Sequence, residues 1–142
     1  MDRKNRVESV FNDLRADNLN ILDDFYHENV KFQDPLGSIN GLIPLKEYYR
    51  GLYKNVTDIS FEFTDHIVEN DSHVGIWTMR MKTKKLNNGK EMVLNGNSHI
   101  VFDPDTDKVI FHRDYFDMGE FIYEYIPVVG FAIKKIKQAL GH

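Results

Sequence analysis

A few positions could do chemistry on residue type and spacing alone. Asp34 stands in FQDPLGS, between an apolar, strand-like run and a proline. Asp before Pro with Gly close behind is ordinary turn chemistry. A carboxylate there could also close a pocket as a general base, taking and returning a proton if partial desolvation lifts its pKa from about 4. His112 and Asp114, two apart in KVIFHRDYFD, share one side of a strand. They could share a proton or orient a substrate, or form a satisfied core pair. They offer no third ligand at a telling spacing, so neither a metal nor a cofactor is expected. His27, His66, His73 and His99 sit in no motif. The chain has no cysteine, which excludes thiolate nucleophiles, thiolate metal sites and disulfides together.

The elements that must position these groups belong to a 142-residue chain, long enough for one domain with a substantial core. A net charge of -4 and a pI near 5.8, with scattered lysines, give no electrostatic footprint for nucleic acid. No stretch approaches the length of an apolar membrane span and the start lacks an apolar leader, so a cytoplasmic protein without stable membrane insertion is expected.

Val7, Val10, Phe11 and Leu14 repeat at helical spacing, and Leu22, Phe25 and Tyr26 predict a second short helix. Pro44, Leu45, Tyr48, Tyr49 and Leu52 predict a third. From Ile59 the period becomes two, and turn clusters at 70–72, 87–89 and 103–107 separate VGIWTMRMKTKKL, KEMVLNGNSHIVF and KVIFHRDYFD. Helices followed by an antiparallel meander make an α+β fold. The tail GEFIYEYIPVVGFAIKKIKQALGH reads as helix broken near Pro127. It is expected to dock on the core, with a pocket lid and a membrane-surface helix as alternatives.

The strand VGIWTMRMKTKK places Trp77, Met79 and Met81 on one face and Ile76, Thr78, Arg80 and Lys82 on the other. Pattern alone puts the polar face in water. In KVIFHRDYFD, Ile110, His112, Asp114 and Phe116 fall on one side, with Val109, Phe111, Arg113 and Tyr115 opposite.

The run YHENVKFQDPLGSINGLIPLKEYY resembles the nuclear transport factor 2-like superfamily, and within it the ketosteroid isomerases and SnoaL-like proteins, whose helices join the sheet through an element of the form V.F.DP.G...G...L..YY. KVIFHRDYFD is similar to the last strand of the limonene epoxide hydrolase and SnoaL-like branches. The resemblance implies a single SnoaL-like domain over residues 1–142. Its fold would be cone-shaped, with N-terminal helices on a curved, mainly antiparallel sheet and a C-terminal helix.

By the same resemblance Asp34 takes the isomerase base position and Tyr49 that of a supporting pocket tyrosine. Val10 and, approximately, Ser98 stand where the isomerases place their oxyanion donors. The concave sheet face would line the cavity, turning Thr78 and Arg80 inward beside Ser98, Ile100, Phe102, His112, Asp114 and Phe116. The convex face would carry Trp77, Met79 and Met81 into a homodimer. Arg80 and Asp114 match two members of the Asp-Arg-Asp constellation of limonene epoxide hydrolase, whereas Lys82 stands at the third. The implied function is binding of a small, partly apolar molecule bearing a carbonyl or hydroxyl. An isomerase-like or cyclase-like proton transfer would use Asp34 as base, with Arg80 holding the oxyanion and His112 with Asp114 orienting or reprotonating. The alternative is a non-catalytic ligand-binding or dimerisation module, and epoxide hydrolysis fits less well.

Overall fold

A computed structural model describes residues 1–121 and 127–141. Helix α1 (Arg3–Asp13) is capped by Asp2, whose carboxylate accepts from the Asn5 amide at 2.8 Å. Val7 and Phe11 form its buried stripe. Arg3 and Arg6 bind Asp107, Arg3 also reaches Asp71, and the Arg3 guanidinium lies 4.5 Å from the Phe102 ring centroid. These contacts hold the start of α1 against the turns at the far end of the sheet.

The predicted second helix is only a 3-10 turn at Leu19–Asp23, and the chain is already extended at Tyr26, in β1 (Tyr26–Asp34). Leu22 and Phe25 are buried as that stripe requires, but the spacing is too short to separate a helix from a turn feeding a strand. A tight turn joins β1 to β2 (Gly37–Asn40), and α2 (Leu42–Tyr53) follows with Pro44 in its first turn. Then come β3 (Val56–Glu69), β4 (Ser72–Thr83), β5 (Met92–Phe102) and β6 (Val109–Phe116). The turn clusters fall between these strands, with Asn70, Asn88 and Asp107 at positive φ of 54–56°, the conformation that favours such residues.

The strands form one six-stranded sheet in the order β2-β1-β6-β5-β4-β3, antiparallel except where β1 runs parallel to β6. It is curved and unclosed. Irregularities at Val56/Asp58 and Phe63/Asp65 in β3 are of the kind that bend a strand. The helices α1 and α2 cover the concave face.

Beyond β6, a short helix α3 (Met118–Phe121) precedes α4 (Pro127–Ala139), which begins at the expected proline. Among the described side chains of this tail, Phe131, Ile136 and Leu140 are 61–73 % exposed and Lys137 pairs with Asp117 at 3.7 Å; the residues that would decide the expected docking lie outside the described side chains. Among the described residues no helix is long and apolar enough to cross a membrane.

Candidate functional site

Between α1, α2 and the concave sheet face lies a cavity of about 120 Å³. Val10, Phe11 and Leu14 supply its α1 wall, and Tyr48, Tyr49, Leu52 and Tyr53 its α2 wall. The sheet contributes Tyr26, Phe32, Ile59, Phe61, Trp77, Met79, Met81, Leu94 and Phe116. Into this apolar and aromatic lining come Asp34, Asp114 and His112. Asp34, Leu36, Asp114 and Phe116 also border an outer cleft with Gln33, Asn95, Asn97, Arg113 and Tyr115, so both carboxylates stand between the interior and a polar exterior.

Asp34 serves as turn residue and pocket residue together. Its Oδ1 accepts the amides of Leu36 (2.8 Å) and Gly37 (3.2 Å), closing the β1–β2 turn, while Oδ2 accepts the Tyr48 hydroxyl. The side chain reaches the cavity although the residue is only 8 % exposed. Burial, reinforced by the neighbouring Asp34 carboxylate, pushes the Tyr48 phenol well above its usual range, so it stays a donor.

Asp114 belongs to a longer chain. Its Oδ1 lies 2.5 Å from His112 Nε2 and accepts the Ser98 hydroxyl at 2.6 Å, and Ser98 Oγ accepts Trp77 Nε1–H at 3.0 Å. On the other side His112 Nδ1 meets the Tyr26 hydroxyl at 2.6 Å, which meets that of Tyr49 at 3.0 Å. A neutral imidazole protonated on Nε2 satisfies this run: Tyr49 donates to Tyr26, Tyr26 to Nδ1, and Nε2–H to the carboxylate. Burial drives the Tyr26 and Tyr49 phenols upward, keeping them protonated at neutral pH. Asp114 Oδ2 takes no hydrogen bond among the described residues. Tyr53, stacked on Tyr49 with centroids 6.1 Å apart, likewise has no hydrogen bond from its hydroxyl among the described residues. Burial, and next the charge of Asp114, hold that phenol above its usual range.

The structure thus brings Asp34, His112, Asp114, Tyr49 and Phe116 to one cavity. It places the other expected residues elsewhere. Trp77, Met79 and Met81 are buried at 3–7 % exposure and face the cavity, so they are core rather than an exposed dimer strip. Arg80 and Thr78 therefore point to the opposite face. Arg80 pairs with Glu91 at 3.3 Å, both about half exposed, and Thr78 bonds Asn95. The sheet can bury only one face of β4 under the helices, and the apolar face gains more.

Ser98 is fully buried behind Asp114 rather than lining the cavity. Ile100 and Phe102 lie deeper in the core, where Arg3 covers the Phe102 ring. On β6 the register shifts opposite Val101/Phe102, so Val109 and His112 both face the core and the strict alternation expected from Ile110 onward fails at its start. Sequence reasoning missed Tyr26 and Tyr48 as functional candidates. The aromatic helical stripe holding Tyr48 was the available signal for one; the other carries none, since its role depends on a strand eighty-six residues away.

The sequence profile of the SnoaL-like domain matches residues 7–112, three quarters of the chain. No curated protein sequence matches. Among solved structures, a proposed SnoaL-like polyketide cyclase from Shewanella denitrificans OS-217 superposes with a TM-score of 0.71 at 15% identity, over 83% of this chain and 92% of that one. TerC, co-crystallised with polyporic acid, gives 0.71 at 17% identity over 87% and 97%. A protein with a ketosteroid isomerase-like fold from Catenulispora acidiphila DSM 44928, in complex with trimethylamine, gives 0.69 at 9% over 82% and 86%. At these identities the likeness establishes the nuclear transport factor 2-like fold. The chain belongs to the SnoaL-like domain family.

Proposed function

We propose that this SnoaL-like domain binds a compact, largely apolar molecule bearing a carbonyl or hydroxyl group in the cavity under α1 and α2, and moves a proton on it with Asp34 as base. The observation that carries the reading is the arrival of two carboxylates, Asp34 and Asp114, in one otherwise apolar and aromatic cavity. Apolar walls with few convergent polar groups are the usual make-up of a small-molecule site. At about 120 Å³ the space suits a single ring, being close to the roughly 150 Å³ of an apolar cavity known to hold benzene.

In this mechanism the Asp34 carboxylate, fixed by two backbone amides and the Tyr48 hydroxyl, removes the α proton of a β,γ-unsaturated ketone and returns it to the γ carbon, so that the double bond moves into conjugation with the carbonyl. The developing oxyanion takes a hydrogen bond from Tyr53, whose hydroxyl has no other acceptor among the described residues. His112 holds Asp114 in place. The test is isomerisation of cyclohex-3-enone to its conjugated isomer, followed by ultraviolet absorbance. Asp34→Asn should bind the ketone and lose the rate enhancement, and unchanged turnover by that variant would sink the base assignment.

A second reading, ligand binding without catalysis, has its own support: the cation expected to hold an oxyanion, Arg80, is on the other face of the sheet. Epoxide hydrolysis would need that arginine between carboxylates and is not supported. The expected homodimer would rest on partly exposed Ile76, Val101 and Phe111 of the outer face, which equilibrium sedimentation at micromolar concentration tests.

A further inference from the structure

We propose that the cavity selects a small organic cation, a methylated or protonated amine whose short chain carries the hydroxyl or carbonyl. This rests on the pocket reading above and narrows its ligand. The sign of the charge follows from what does and does not reach the lining. Asp34 and Asp114 do, and among the described lining residues there is no lysine or arginine. Each nearby arginine is committed elsewhere. Arg15 gives its guanidinium to the backbone carbonyls of Asn12, Leu14 and Ile59. Arg80 pairs with Glu91 on the outer face, and Arg113 lies in the outer cleft, stacked 4.7 Å from the Tyr115 ring centroid.

An anionic ligand in this space would meet two carboxylates with no lysine or arginine in the lining, set against only the Arg15 charge felt at Tyr53 and the His112 imidazole already paired with Asp114. A cation meets the reverse. Asp114 offers Oδ2, free of hydrogen bonds among the described residues, and the rest of the wall is rich in rings, among them Tyr26, Tyr49, Tyr53, Phe61 and Trp77. Aromatic walls attract a weakly hydrated ammonium through the ring quadrupole, and methylated amines are the ligands for which such cages recur. A cavity of about 120 Å³ admits a trimethylammonium head with a short arm and little more.

The test compares choline with its uncharged carbon isostere, 3,3-dimethylbutan-1-ol. Each is titrated into protein labelled with ¹³C at the methionine methyls, because Met79 and Met81 line the cavity and report its occupancy. Choline should shift both methyls and bind at least about tenfold more tightly than the isostere. Asp114→Asn should bring choline down to the isostere's affinity while leaving the isostere's own unchanged, and Asp34→Asn serves if the first variant does not fold. The wild-type comparison decides without either variant. An isostere that binds as tightly as choline, or alone, overturns the cation preference and leaves the pocket reading standing. If neither compound moves the Met79 and Met81 methyls, this proposal falls, while the pocket reading is decided separately by the cyclohex-3-enone assay.

Discussion

The two carboxylates of the cavity are held in opposite ways. Asp34 is fixed by partners close in the chain: the amides of Leu36 and Gly37 two and three residues on, and Tyr48 on the helix that follows. Asp114 is fixed by a relay that draws Tyr26 from β1, Tyr49 from α2, Trp77 from β4 and Ser98 from β5. One site is a turn that happens to face a pocket; the other exists only when four further elements are assembled. The difference teaches where stability and chemistry separate. A locally built group can be altered at modest cost to the fold, whereas a network spanning the sheet is part of what specifies it.

Several changes would break or sharpen that contrast. The largest effect is expected from His112→Ala, which leaves the Tyr26 hydroxyl without its acceptor and opens a void beneath Phe11 and Phe32, whose rings contact the imidazole. A loss of about 3 kcal/mol in urea unfolding is expected. Next comes Gly96→Ala, since a Cβ there would lie 2.5 Å from the Trp77 ring and 2.8 Å from the Tyr115 carbonyl. The indole would have to leave Ser98, costing about 2 kcal/mol and shifting Trp77 fluorescence, the only tryptophan signal in the chain.

The relay should also fail in alkali. The Tyr26 and Tyr49 phenols are raised by burial in the folded state, so the unfolded chain loses its protons first. Their contribution is intact below the ordinary phenol pKa of about 10 and is lost as pH rises above it, by about 1.4 kcal/mol per pH unit for each phenol. Tyr49→Phe should flatten the stability–pH slope above pH 10; an unchanged slope would show that Tyr49 titrates normally in the fold.

On the local side, Tyr48→Phe removes one hydrogen bond to Asp34 from a partly buried phenol, for a loss of about 1 kcal/mol. A larger loss there than at His112 would reverse the comparison. Arg80→Ala should be smallest, within about 0.5 kcal/mol and without effect on cavity binding, because its ion pair is half exposed to solvent.

Much of the fold was legible in the chain because its signals are local. The stripe Val7, Val10, Phe11 and Leu14 makes α1, Leu45 and Tyr49 make the buried side of α2, and Asn70, Asn88 and Asp107 mark the turns at positive φ. Asp34 was legible for the same reason, since an Asp-Pro turn carries its partners with it. Alternation in β4 divided Trp77, Met79 and Met81 from Thr78 and Arg80 and by polarity put the first set inside, as the structure has it, whereas the resemblance pointed to the other set.

The sequence by itself therefore determined α1, α2, the strands from β3 onward, the turns and the family, all of which depend on residues within a few positions of one another or on a pattern spread along the chain. Only the tertiary structure decided that Ile100 and Phe102 lie in the core beyond the cavity and that Tyr26 reaches His112 across eighty-six residues. Those outcomes follow from how the sheet bends and which surfaces compete for burial. A two-residue period separates the faces of one strand but has no means of encoding which residues of distant elements will meet them.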